Sequence, residues 1–336
     1  MKTRPRRLAW VLAAASWAVA GCKTEAPAPS ATPAPRGPVA EGRALLEQGQ
    51  PDAALARLQE APDDPESQVL QGRAWAKKAE SAPLPTPPPV EGELPRGVAA
   101  PAAPVFKAEE LQALGLFEKA IAGRPDLGEA HLGVAELLAP HAIRRYDRQR
   151  EAAAGRTVPR RRRGRAPEPT PAAPEGDAQG VDYGVERVVR AYEFAARSED
   201  AGQAGADGLI AFGTRVGRLD AAEAGFRHLL EKVKEKPEPL IRYGNFLVEQ
   251  KKDGDAAIEQ YRQALIWKPD DEPTRLRIAS IYLARGKEHF DSQQFGVAEA
   301  EFKQAAKWVA PGSPQAEELR SLQNRLLEIR KPVGRQ

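Results

Sequence analysis

The chain has 336 residues, enough for one or two globular domains, and 50 Lys and Arg against 47 Asp and Glu leave a net charge of only +3. A single cysteine excludes an intramolecular disulfide, and 31 Pro and 28 Gly, unevenly spread, mark much of the chain as linker. Aromatic content is 6%, modest for a globular core but compatible with Ala-rich helices that cross on small residues.

Lys2, Arg4, Arg6 and Arg7 form a basic leader before an apolar run from Leu8 to Ala20. As a helix that run rises about 20 Å, too short for a bilayer core of about 30 Å, so it reads as a signal peptide rather than an anchor. Val19-Ala20-Gly21-Cys22 closes it, and the only cysteine of the chain stands at its end. This resembles the bacterial lipobox, with Val in place of the usual Leu. The resemblance implies cleavage after residue 21, acylation of Cys22 and attachment to a lipid bilayer through several buried chains. Lys23 rather than Asp follows, which for such lipoproteins implies the outer membrane, facing the periplasm. Residues 22–38 are a Pro/Ala tether, expected to be semi-extended.

Residues 39–312 carry apolar and small side chains at helical spacing, in paired blocks. Gly42, Leu45 and Gly49 precede Ala54, Leu58 and Ala61, and Pro62 and Pro65 close that first pair early. The second pair opens with Leu70, Gly72 and Trp75, is interrupted by a Pro-rich insertion over 80–104, and resumes with Ala113, Phe117, Ala120 and Pro125. The third opens over Gly128–Leu138 and is expected to end at Pro140. A second insertion over 140–184 follows, rich in arginine at first (Arg144 to Arg165), then in Pro, Ala and Gly. Both insertions lack the apolar surface to fold and are expected to be disordered. Val188, Tyr192 and Ala195 complete the third pair, and Leu209, Gly217, Ala222, Phe226 and Leu229 make the fourth.

The fifth pair is the clearest. Leu240, Tyr243, Gly244 and Leu247 are followed by a turn-forming Lys-Lys-Asp-Gly-Asp run, then by Ala257, Tyr261, Ala264 and Leu265, with Pro269 as a stop signal. Ala257, Tyr261, Ala264 and Pro269 resemble the second-helix signature of the tetratricopeptide repeat. Leu240, Tyr243, Gly244 and Leu247 resemble its first helix, with one extra residue in the following turn. The resemblance implies an all-α fold, an α–α superhelix of about six repeats. The sixth repeat has Ile278, Ala279, Tyr282 and Gly286 in its first helix, and its second-helix residues Ala298, Phe302 and Ala305 come about seven residues late. Seven residues are close to two helical turns, so a taller hairpin keeps the apolar face in phase. Residues 313–331 read as a capping helix with Leu319, Leu322, Leu326, Leu327 and Ile329 amid charges. In repeats two, three and six the added residues sit between the two helices, which places them along one edge of a stacked solenoid.

Little in the sequence points to chemistry. His131, His141, His228 and His289 are scattered without metal-ligand spacing, and no phosphate loop, zinc helix or nucleophile elbow occurs. Neither a catalytic residue, a metal nor a cofactor is therefore assigned, and no globular stretch is left over for an enzyme domain. The family resemblance implies a groove lined by first-helix residues, here Arg215, Arg242, Asn245, Glu249, Arg277 and Ser280. Asn245 matches the asparagine of members that bind peptide carboxylates, but Ile241 stands where their lysine would be. These residues are either a partner groove or a solvated face. Arg160, Arg161, Arg162, Arg163 and Arg165 are either a solvated loop or a contact for anionic lipid or envelope polymer; export argues against nucleic acid. The combined expectation is a non-catalytic scaffold that binds other envelope proteins through its groove and assists a secretion, pilus or polysaccharide-export assembly. The alternative is an adaptor or regulator of peptidoglycan enzymes.

Overall fold

A computed structural model describes residues 37–83, 105–155 and 180–330. Among them there is no strand, and thirteen helices follow in order: α1 Pro38–Glu47, α2 Pro51–Leu58, α3 Pro65–Ser81, α4 Ala108–Gly123, α5 Gly128–Gly155, α6 Val185–Arg197 and α7 Gly202–Arg215, then α8 Leu219–Lys232, α9 Pro237–Phe246, α10 Gly254–Trp267, α11 Glu272–Asp291, α12 Phe295–Ala306 and α13 Pro314–Arg330. Their starts are written locally. Proline occupies the first turn of α1, α2, α3, α9 and α11, where its missing N–H costs nothing. Asp64, Asp253 and Asp271 accept from the backbone N–H of Ser67, Ala256 and Thr274 as N-caps.

Successive helices pair as six antiparallel hairpins, each stacked on the next, with α13 closing the series. This is the all-α solenoid that the family resemblance implies. Its core runs along the stack as overlapping clusters centred on second-helix residues: Leu58, Phe117, Val188, Phe226, Tyr261 and Phe302. Phe117 shows how the stack closes. Its ring lies between Gly72 of its own hairpin and Gly133 of the next, and a Cβ at either would come within 2.6 or 2.4 Å of the ring. Glycine there lets two neighbouring first helices approach one aromatic side chain from both sides.

Three local features depart from the expected reading. First, α5 does not end at Pro140 but runs through it to Gly155. Proline removes one helical hydrogen bond and crowds the preceding turn. The turns beyond it are held by burial of His141 and Ala142 and by an Asp147–Arg215 ion pair at 2.6 Å. Tyr183, also within the stretch expected to be disordered, is 2% exposed and belongs to the same core. Of that insertion only 156–179 lies outside the described residues, as do 84–104 of the first insertion, the leader, Cys22 and Arg160–Arg165.

Second, the extra residue of the fifth hairpin is absorbed as a π-helical turn, Leu247–Lys251, that continues α9. Lys252 then adopts φ 58° and the N–H of Asp253 donates to the carbonyl of Leu247 at 3.0 Å. Third, the first helix of the tall sixth hairpin is shared between two cores rather than serving one. The turn is Ser292–Gln294, and Gly286 lies inside α11 against Phe302, as Gly244 lies against Tyr261. The base of α11 turns to the neighbouring hairpin instead, where Ile278 joins the cluster of Tyr261 and Ile258.

Candidate functional site

The structure brings four of the six groove candidates together. Asn245 from α9, Glu249 from the π turn, and Arg277 and Ser280 from α11 line one open groove of about 620 Å³ between neighbouring first helices. Val248, Leu276 and Ala284 form its apolar lining, and Tyr261 of α10 lies at its floor. Arg242 and Arg215 stand elsewhere. Arg242 pairs with Asp207 of α7 at 2.8 Å, and Arg215 with Asp147 of α5 at 2.6 Å, so both act as ties between successive hairpins.

The groove has a defined donor pattern. The Tyr261 hydroxyl donates to Asn245 Oδ1 at 2.7 Å, and burial pushes that phenol up to about 12, so it remains a donor at neutral pH. With Oδ1 occupied, the amide of Asn245 presents its N–H groups to a ligand. Ser280 donates to the carbonyl of Leu276 at 2.8 Å, which leaves its oxygen as an acceptor. Among the described residues Arg277 has no ion-pair partner, unlike Arg242 and Arg215. Glu249 and Glu288 stand toward the hairpin tip. Such an arrangement can hold a chain segment with an acceptor group at Arg277 and Asn245 and an apolar side chain between the helices. It contains no activated nucleophile.

Leu276, Ala284 and Glu288 were missed as lining residues, although the signal was present. Together with Ser280 they recur every four residues along one stripe of α11. A second cavity, about 480 Å³, lies among Arg43, Arg124, Glu129, Arg197 and Asp200. Two of its carboxylates are engaged: Glu129 stands 3.6 Å from both Arg43 and Arg73, and Asp200 accepts from the backbone N–H groups of Gly128 and Glu129 at 3.2 and 2.9 Å.

Two of the four histidines serve packing and turns. His131 stacks on Phe194 and bonds the carbonyl of Pro125 at 2.8 Å, and His289 bonds Gln294 at 2.7 Å. Among the described residues no cluster of three His, Cys, Asp or Glu is placed to hold a metal, and no helix is long and apolar enough to cross a membrane.

Fold and groove together define an all-α solenoid of stacked helical hairpins. No family model matches the chain, and no curated protein matches it. Among solved structures it is similar to a thermophilic tetratricopeptide-repeat protein of Thermus thermophilus, at 19% identity over 73% of this chain and 97% of that one, TM-score 0.34. It is also similar to a tetratricopeptide-repeat protein of Parabacteroides merdae, at 11% identity over 86% of this chain and 97% of that one, TM-score 0.35. A third is human IFIT1, solved as a dimer with m7Gppp-AAAA, at 14% identity over 88% of this chain and TM-score 0.36; the match spans 55% of that protein. These likenesses concern the fold alone.

Proposed function

We propose that the chain is a non-catalytic protein-interaction scaffold of the bacterial cell envelope. In this reading acylated Cys22 holds it at the outer membrane, facing the periplasm. The groove between α9 and α11 takes a segment of another envelope protein and so assists the assembly or localisation of an envelope complex. Arg160 to Arg165 add a contact for anionic lipid or polymer. The observation that carries the reading is the contrast among the arginines: Arg242 and Arg215 are spent on ties between hairpins, whereas Arg277 faces the groove beside Asn245 with no ion pair among the described residues.

A photo-crosslinking amino acid at Ser280, introduced into the full chain in its native cells, tests this. A discrete crosslinked envelope protein should appear, be lost with Arg277→Glu, and persist with Arg215→Glu. In the same cells, Cys22→Ser should abolish fatty-acid labelling and leave the chain in the soluble fraction. A crosslink indifferent to Arg277, or an unlabelled wild-type chain, refutes the corresponding half of the reading.

A further inference from the structure

A buried polar cluster near the hairpin tips is not used by the groove. His141, on α5 directly after Pro140, is 4% exposed. Its ring centroid lies 4.2 Å from that of Phe106, which precedes α4, and 6.4 Å from that of Tyr183, which precedes α6. Nε2 is 3.1 Å from Glu110 Oε1 of α4, and Nδ1 is 3.0 Å from a guanidinium nitrogen of Arg144. A guanidinium can only donate, so Nδ1 is the acceptor; the proton is on Nε2, which donates to Glu110.

The surrounding groups fix which partner can yield. Glu110 is anchored, since its other oxygen accepts from the backbone N–H of Lys107 at 2.7 Å. Burial pushes the Glu110 carboxyl up, but the bonds from His141 and Lys107 outweigh it and hold it below the ordinary carboxylate value. The Lys107 ammonium is committed to the carbonyls of Ala79 and Ala82 at 2.6 and 2.7 Å. Arg145 lies over the ring of Tyr183 at 5.2 Å. Arg144 alone is exposed, on a helical stem that Pro140 has already deprived of one backbone hydrogen bond.

We propose that His141 is an acid-sensitive latch on the α5 stem: its protonation turns Nδ1 into a donor facing the Arg144 guanidinium, keeps the Glu110 bond, and expels Arg144 into solvent. The proton comes from water and no bond other than hydrogen bonds is broken. Residues 141–155 then rest on Arg145, Tyr146 and the Asp147–Arg215 pair, and the stem gains a free cation beside exposed Arg148 and Arg150. The latch thus couples acidity to the helix that leads into the Arg-rich insertion.

Hydrogen exchange of the full chain between pH 7.5 and pH 5, corrected for intrinsic rates, tests the latch. In the wild type, protection of 141–155 should fall about tenfold, the worth of one charge-assisted hydrogen bond. Arg144→Gln should remove that pH dependence, because an amide can donate to Nδ1 or accept from it. Arg144 is exposed, so this variant leaves the core intact. A long-range ¹H–¹⁵N spectrum at pH 7.5 should place the His141 proton on Nε2. Unchanged protection in the wild type, an equal fall in Arg144→Gln, or a proton on Nδ1 overturns the proposal.

Discussion

Phe302 is fully buried, and its ring rests where a side chain on Gly286 would collide: a Cβ there would lie 2.4 Å from Cε1. Removing the ring leaves a cavity between α11, α12 and α13, whose Leu283, Leu319 and Leu322 share its cluster. Phe302→Ala is therefore expected to cost about 3–5 kcal/mol. Gly286→Ala is expected to cost about 1–3 kcal/mol by overpacking the same contact from the opposite side. Both losses should appear first as earlier melting of α11 to α13, because stacked repeats couple mainly to their neighbours. Thermal unfolding with exchange mapping reads this, and near-zero losses in both variants would show that the sixth hairpin packs in another register. By comparison the exposed Arg242–Asp207 tie is worth at most about 1 kcal/mol.

At the scale of elements, α5 is the helix whose ends the sequence least revealed. Its first N–H groups are capped by Asp200, which belongs to the turn after α6 and lies 72 residues away from Gly128. No local pattern announces a cap supplied from the turn that leaves the hairpin, whereas Asp64, Asp253 and Asp271 cap their own helices three residues on. Burial pushes the Asp200 carboxyl up, but the bonds from the Glu129 N–H and the Ser198 hydroxyl win, and its value lies below the ordinary one. A depressed carboxylate contributes stability above the unfolded value of about 3.9 and loses it as pH falls through the folded value. Asp200→Ala should accordingly cost about 1 kcal/mol at pH 7, and the gap from the wild type should close in acid, once the pH has fallen through the lowered folded value. Urea unfolding at neutral and acid pH measures it; a gap that persists in acid would mean the cap acts other than through its charge. The π turn after α9 was legible only as a surplus residue, because spacing counts residues but does not say whether a loop or a helix absorbs them. Asn245 and Ser280 were readable from their repeat positions. The pairing of Arg242 and Arg215 was not, since their acidic partners come from other hairpins.

For the whole molecule, the question is where the solenoid ends and its insertions begin. Composition alone assigned 140–184 to a linker, because arginine and proline mask the few apolar residues that are buried. The structure draws the line elsewhere: His141, Ala142 and Tyr183 belong to the core, and Asp147 ties the α5 stem to α7. At the first insertion the two flanks already meet, since Lys107 reaches the carbonyls of Ala79 and Ala82. A loop joining points held together elsewhere adds to the closure cost only with the logarithm of its length. Replacing 84–104, or 156–179, by a short Gly/Ser linker should therefore leave the melting temperature and helix content nearly unchanged. Replacing all of 140–184 removes a buried tyrosine and a buried histidine, and truncating one buried aromatic already costs about 3–5 kcal/mol. The loss should spread to α6 and α7, which pack on the stem and on Tyr183. Differential scanning calorimetry of the three variants separates the cases. Equal stability for the 140–184 and 156–179 replacements would return the stem to the insertion, and with it the latch at His141.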